Sequence, residues 1–467
     1  MDLPPPEGLP RVIGFWGGFA VIVGITIGSG VFRKPVTLAV DVGDPVAILG
    51  LWVAFGLVSL CGALAIAELA SMLPHTGGVY VYLRAAYGAS AAFVFGWLYL
   101  LVATPAAIGA LAVFFAELVV TLGGRDPGQA SAWLLAGIAG ATILVLTIVN
   151  VLGARLGSAV QTLLTVIKVA ALAALVVAAF TVGGGRFAHL APSPGGPRNL
   201  GRGVASVIWA YDGWVAVSMI AGEVMTAERL MRRIIVAGML TIVLLYVGAN
   251  VGYFYAMPVE VMARQTAGVP QWIVGKLLGP AGSAVIGAAI LCSVSGALNG
   301  NILAKPRVVY ALARDGLTFS FLGRAHPRWA TPHYAILIQT AAALVLVVLL
   351  RDFDRLTTYF VVVEWCALLF AVAAVVVLRR RLPHAPRPFR TPGYPWVPLL
   401  FLAATSVGLV AIVRAELARA VPNYSPVMGL LIAAAGFPVY YVWRRLAGPV
   451  PPGSGERPRR RPRCDTP

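Results

Sequence analysis

Gly24-Ile25-Thr26-Ile27-Gly28-Ser29-Gly30-Val31-Phe32 places three glycines and a serine inside the first long apolar run of the chain. Apolar residues lead into it from Val12, so the segment is long enough to cross a bilayer, which takes about 20 residues. A continuous helix gains nothing from Gly-Ser-Gly, because each glycine costs roughly 1 kcal/mol relative to alanine. Two readings fit. The cluster is either a break in the helix, tolerated at membrane depth only where backbone lines a protein-enclosed cavity, or a site of close helix–helix approach. A break would open a half-helix whose free N–H groups and positive dipole end favour a carboxylate.

Working outward, the composition is that of an integral membrane protein. The 467 residues are 59% hydrophobic and 12% charged, against about 25% charged in soluble domains. Apolar runs recur along the whole chain, at 12–33, 45–70, 90–121, 131–151, 157–181, 203–224, 234–257, 280–303, 333–350, 357–378, 395–413 and 425–443. This reading predicts an all-α protein with twelve spans. The first run is too long and too interrupted for a cleaved signal peptide.

The net charge of +18 does not indicate nucleic acid, because the basic residues sit at the ends of apolar runs. Arginines concentrate in the connections that follow even-numbered spans, which places both termini in the cytoplasm by the positive-inside rule. The Arg- and Pro-rich tail, 444–467, reads as disordered and able to touch anionic lipid. Cys61, Cys292, Cys366 and Cys464 are scattered, so neither a disulfide framework nor a metal site is expected. The five histidines fall in loops or at span ends, and no zinc motif, nucleophile elbow or phosphate-binding loop accompanies them. No enzyme and no cofactor is expected. A channel needs a continuous polar pore lining, whereas the polar residues here gather at two places.

The second place is Ser206-Val207-Ile208-Trp209-Ala210-Tyr211-Asp212-Gly213-Trp214 in span 6, where Asp-Gly supplies turn chemistry inside a spanning run. Spans 1 and 6 open two successive sets of five, 12–181 and 203–378, followed by spans 11 and 12 at 395–443. Interrupted segments at corresponding positions of two halves point to a transporter's central site, and this coincidence selects the break over simple close packing. Two unwound segments facing one another offer donors and acceptors together, which suits a zwitterion such as an α-amino acid. The N–H groups of Ser29 and Gly30 and the Ser29 hydroxyl are expected to hold the carboxylate. Carbonyls of Thr26, Trp209 and Asp212 would hold the amino group, with Ile27, Gly28, Ala210 and Gly213 completing the two breaks.

Lys168 is one of only 4 lysines and sits mid-span in Thr165-Val166-Ile167-Lys168-Val169. An ammonium at that depth is costly unless paired or solvated. It reads as a fixed cation standing where a sodium ion would bind, or as a proton carrier. Glu364 in span 10 is either a pathway group or a cap on a neighbouring backbone. Trp209 is either an aromatic gate over the substrate or packing, and Asn299 either faces the pocket or makes a helix contact. Glu223 is expected to pair with Arg229 or Arg232.

With these residues in hand, the chain resembles the amino acid–polyamine–organocation superfamily, and within it bacterial relatives of the L-type amino acid transporters. Gly24 to Phe32 resembles the family's first-helix motif, and Thr76-Gly-Gly-Val-Tyr-Val-Tyr-Leu-Arg-Ala-Ala-Tyr-Gly88 its loop into helix 3. Trp209-Ala-Tyr-Asp-Gly-Trp214 is similar to the sixth-helix break. Gly296-Ala-Leu-Asn-Gly300 and Pro306-Arg-Val-Val-Tyr-Ala-Leu-Ala-Arg-Asp-Gly316 resemble helix 8 and its loop, and Arg387-Pro-Phe-Arg-Thr-Pro-Gly-Tyr-Pro395 the loop into helix 11. The resemblance implies a five-plus-five inverted-repeat (LeuT-like) fold with helices 1 and 6 broken. It also implies alternating access and amino acid transport without Na⁺, Lys168 standing in the place of a sodium site. Exchange of amino acids is the first expectation; proton symport and a non-transporting sensor are the alternatives. Two departures stand out: the loop from Glu223 lacks the family's paired prolines, and Val215 replaces a frequent Asn. An accessory heavy chain is not expected, since no outer-loop cysteine is positioned for one.

Overall fold

The structure is a computed structural model that describes residues 9–265, 268–350 and 352–447. The first eight residues, the Arg457–Arg463 stretch and Cys464 lie outside the described residues. Eleven helical segments among those described are long and apolar enough to cross a membrane. The predicted span 203–224 is not among them, for a reason visible in its backbone.

The chain opens with α1 (Phe15–Thr26) and α2 (Gly30–Asp41), which together make one crossing. There follow α3 (Pro45–Met72), α4 (Val79–Tyr87) and α5 (Ala89–Leu98). A π-helical turn, Tyr99–Ala103, leads from α5 into α6 (Thr104–Leu122). Span 3 is therefore interrupted, because Pro105 lacks the N–H that would continue α-type bonding across that turn. The first half ends with α7 (Ala132–Val151) and α8 (Ala154–Thr181).

The second half opens in the same way. Helix α9 (Leu200–Tyr211) stops, and α10 (Ala216–Met219) restarts after Asp212–Val215. Neither piece spans alone, which is why span 6 does not count by length. Then come α11 (Ala227–Ala256), α12 (Val259–Met262), α13 (Val269–Ala304) and α14 (Pro306–Arg314). Helix α13 begins well before the predicted start at 280, but Gly279 (φ +69°) ahead of Pro280 kinks it there. The chain closes with α15 (His333–Leu350), α16 (Phe353–Arg381), α17 (Trp396–Leu417) and α18 (Ser425–Ala447).

Local chemistry sets several of the starts. Asp44 accepts from Ala47 N (2.7 Å) ahead of Pro45, and Asp352 accepts from Arg355 N (2.7 Å) at the head of α16. These bonds satisfy first-turn donors that have no partner within the helix. Burial separates centre from rim. The α1–α2 crossing is 78% buried inside the protein and the α5–α6 crossing 83%, whereas α7 is 17% and α18 22% buried. The outer helices thus give their apolar faces to lipid, and α1, α2, α5 and α6 form the core in which a site can be enclosed.

Candidate functional site

The two breaks meet. A methyl group placed on Gly30 would lie 2.5 Å from Ala210 Cα, so only glycine permits α2 to approach α9 this closely. Gly213 takes φ +106°, a conformation L side chains resist, with Thr26 N and Ile25 against it. Both readings of the glycine cluster therefore hold: it is a break and a close approach. Between Tyr246 on α11 and the two breaks there is a single joint. Its hydroxyl lies 2.7 Å from Thr26 O and 3.0 Å from Ala210 O, binding the ends of α1 and α9 to one side chain.

Where α1 ends, its last carbonyls lose their helical donors. Gly28 N turns back to Thr26 O (2.9 Å), leaving Gly24 O without it. Lys168 replaces the missing donors: its Nζ, with the residue fully buried, donates to Gly24 O, Ile27 O and Ser293 O, each at 2.7 Å. The negative end of the α1 dipole adds to this attraction. Three carbonyls around one ammonium from α8 form a cation cage. Ser293 Oγ also donates to Ile27 O (3.1 Å), and Thr165 Oγ1 to Ala20 O (3.0 Å), so the cage extends into a polar seam between α1, α8 and α13.

A cavity of about 20 Å³, room for roughly one water, lies between the breaks. Thr26, Gly28, Ser29, Gly30, Trp209 and Asp212 line it, all of them residues that the sequence picks out. Ile25, Ala107, Leu111 and Asn301 complete the wall. No side chain caps α2, whose positive end faces this space. The Ser29 hydroxyl accepts from Trp209 Nε1 (3.1 Å), and the Trp209 ring meets Phe353 and Phe360 edge-on at 5.7 and 5.4 Å. Asp212 Oδ1 is buried with no hydrogen-bond partner.

Other expected residues stand back from the cavity. Ile27 contributes its carbonyl to the Lys168 cage, Ala210 packs on Gly30, and Gly213 packs on Ile25. Asn299 faces away: it binds Asn150 (2.8 Å), Gln161 Oε1 (2.9 Å) and Gly157 O (3.2 Å) between α7, α8 and α13. Two residues later on the same helix, Asn301 takes the cavity position instead. Glu364 accepts a short hydrogen bond from Tyr99 in the π-helical turn, and its Oε2 has no partner. Lys305, which sequence reasoning missed, is 1% exposed with no hydrogen bond to Nζ. That ammonium lies over the Phe360 ring (4.5 Å) and within electrostatic reach of Asp212 and Glu364. A lysine directly before Pro306, one helical turn after Asn301, is the signal that was available.

Both mouths of the site are tied. On one side Arg33 pairs with Glu117, and Lys34 with Asp354 (2.8 Å). On the other, Glu223 pairs with Arg307 (2.8 and 3.0 Å), not with Arg229 or Arg232. Glu223 is buried, whereas those two arginines point to the exterior, so only a buried guanidinium can reach it. Glu223 O also receives Val12 N and Ile13 N (both 2.9 Å), and an isolated bridge joins Ile13 to Val224.

Comparison with known proteins adds to this geometry. A family model described as "Amino acid permease" matches residues 13–435. The serine/threonine exchanger SteT of Bacillus subtilis is 31% identical over 437 residues, covering 93% of this chain and 97% of SteT. The human b(0,+)-type amino acid transporter 1 is 29% identical, covering 83% of this chain and 80% of its own length. The human cystine/glutamate transporter is 27% identical over 93% of this chain and 85% of its own.

Proposed function

Because the chain belongs to the amino acid permease family, we propose that it is a secondary active transporter exchanging one amino acid for another by alternating access, without sodium. The observation that carries this reading is the Lys168 cage. A carbonyl cage in an unwound helix is the arrangement that would bind Na⁺ in a related carrier, and here a fixed ammonium occupies it. A charge that cannot leave needs no ion gradient.

In this reading the Ser29 and Gly30 N–H groups, at the positive end of α2, take the substrate carboxylate. Carbonyls at the breaks, Trp209 and Asp212 among them, take the amino group. Thr26 O is already engaged by Tyr246, so its part is to keep the two breaks together. Trp209 closes the cavity through Ser29 and is released when substrate arrives. The cavity is small and its sides are Ile25, Ala107 and Leu111. It must widen to admit any amino acid, and since SteT is a serine/threonine exchanger, serine and threonine are the first to try. The five-plus-five repeat, 12–181 and 203–378, supplies the rocking halves. The place is the cell's inner membrane, with both termini cytoplasmic.

The test uses purified protein in liposomes with labelled serine or threonine outside. Uptake only when unlabelled amino acid is inside, equal in Na⁺ and K⁺, is the expected result. Uptake into empty vesicles driven by an inward proton gradient would replace exchange by symport. The unpartnered Oε2 of Glu364 favours that as the second reading. Binding without flux of any amino acid would make the protein a sensor.

A further inference from the structure

A groove of about 470 Å³ opens on the outer face of the bundle, between α5, α16 and α18. Ala91, Ala367, Ala433 and Ala434 hollow it, while Phe370 and Phe437, 57% and 47% exposed, stand at its edges. No charged side chain lines it. The Tyr87 hydroxyl, at one end, is spent on Phe370 O (3.0 Å). That bond joins α4 to α16, and Trp97 Nε1 to Ile432 O (3.2 Å) joins α5 to α18, so the groove keeps its shape. Water has nothing to bind in it.

The end nearest Tyr87 is basic. Helices α16 and α18 pack together and run in the same direction, so their last turns share one end of the bundle. Those turns carry Arg380, Arg381, Arg444 and Arg445, all exposed and none in a salt bridge among the described residues. Arg381 donates to Ala86 O (2.7 Å) next to Tyr87, and Arg444 donates to the Tyr440 hydroxyl (3.3 Å). An apolar channel at acyl-chain depth thus ends under guanidinium groups with donors to spare.

We propose that this groove is a binding site for a phospholipid with an anionic headgroup, one acyl chain lying between α5, α16 and α18 and the phosphate held by Arg381 and Arg444. The groove accounts for the chain, and the arginines account for the charge, since guanidinium pairs with phosphate through two parallel bonds. A neutral lipid would fill the groove and gain less at its head. The floor includes Leu98 and Val363, each next in sequence to a partner in the Tyr99–Glu364 hydrogen bond. Occupancy therefore props the joint between the π-helical turn and α16.

The experiment is native mass spectrometry of the full chain from micelles containing equal phosphatidylglycerol and phosphatidylcholine, independent of which solute the protein moves. The unaltered protein should retain phosphatidylglycerol about tenfold over phosphatidylcholine. Arg381→Gln with Arg444→Gln should bring the two to parity with total lipid unchanged. Ala433→Trp, which fills the groove, should lose both, while Leu144→Trp on the exposed face of α7 should lose neither. The arginine pair lies outside the packed interior, so its result stands even if Ala433→Trp fails to fold. Equal retention of the two lipids by the unaltered protein overturns the proposal. So does full retention by Ala433→Trp, or a second copy of the chain in place of lipid.

Discussion

The two breaks solve the same problem in opposite ways. At the first, the carbonyls of Gly24, Ile27 and Thr26 have partners in Lys168 and Tyr246, although Thr26 Oγ1 is buried without one. At the second, Asp212 Oδ1 is buried without a partner, as are Glu364 Oε2 and Lys305 Nζ beside it. Unsatisfied buried polar groups are expensive, so a protein keeps them where something else comes to satisfy them. The first break is built as a fixed frame. The second holds the unpartnered oxygen of Asp212, which the proposed function gives to the substrate side of the site.

Lys168→Ala should break this contrast most severely. It leaves Gly24 O without a donor and takes one of the bonds to Ile27 O and Ser293 O, of which Ile27 O keeps the Ser293 hydroxyl. The loss is about 1–3 kcal/mol for the orphaned carbonyl. Exchange should disappear, and melting in detergent should drop well below that of the unaltered protein. If Na⁺ added to this variant restores part of the melting temperature, the cage is a sodium site in outline. An unchanged melting curve would mean that the first break is not held by Lys168.

Gly30→Ala comes next. Its methyl group would press on Ala210, and separating the two breaks by that amount costs about 2 kcal/mol. Exchange should fall further than stability does, since the frame survives and the cavity is distorted. A paired test on α13 sharpens the distinction between frame and cavity. Asn299→Ala should cost about 2 kcal/mol of stability through its three lost bonds and leave KM unchanged. Asn301→Ala should do the reverse, raising KM with little change in melting. The same KM from both variants would show that the cavity has been wrongly drawn.

The smallest effect is expected from Tyr99→Phe, which removes a single hydrogen bond to Glu364, worth about 1.5 kcal/mol when the acceptor is charged. Slower exchange with unaltered KM would assign Glu364 to the moving part of the cycle. Unaltered rates would leave the Tyr99–Glu364 bond as packing alone.

Much of this arrangement was legible in the chain. Hydropathy located the crossings, because a bilayer demands long apolar runs whatever their neighbours are. The Gly-Ser-Gly and Asp-Gly interruptions located both breaks, because backbone strain is local chemistry. Lys168 announced itself by its depth. The misreadings share one cause, the direction in which a side chain points. Asn299 and Asn301 differ by two positions, about 200° around a helix, and the one residue between them, Gly300, does not say which faces α6. Glu223 meets Arg307, eighty-four residues away, while the nearer Arg229 and Arg232 are exposed.

The sequence by itself determined where the membrane is crossed, where the helices stop and which cation is buried, since those follow from solvation and from backbone propensity one residue at a time. Only the tertiary structure decided that the breaks touch at Gly30 and Ala210, that the ammonium meets three carbonyls from two helices, and that Lys305 and Glu364 come within electrostatic reach of Asp212. Contacts of that kind depend on the rotation and depth of each helix against its neighbours. The packing of all the helices together sets these, and no single segment encodes them.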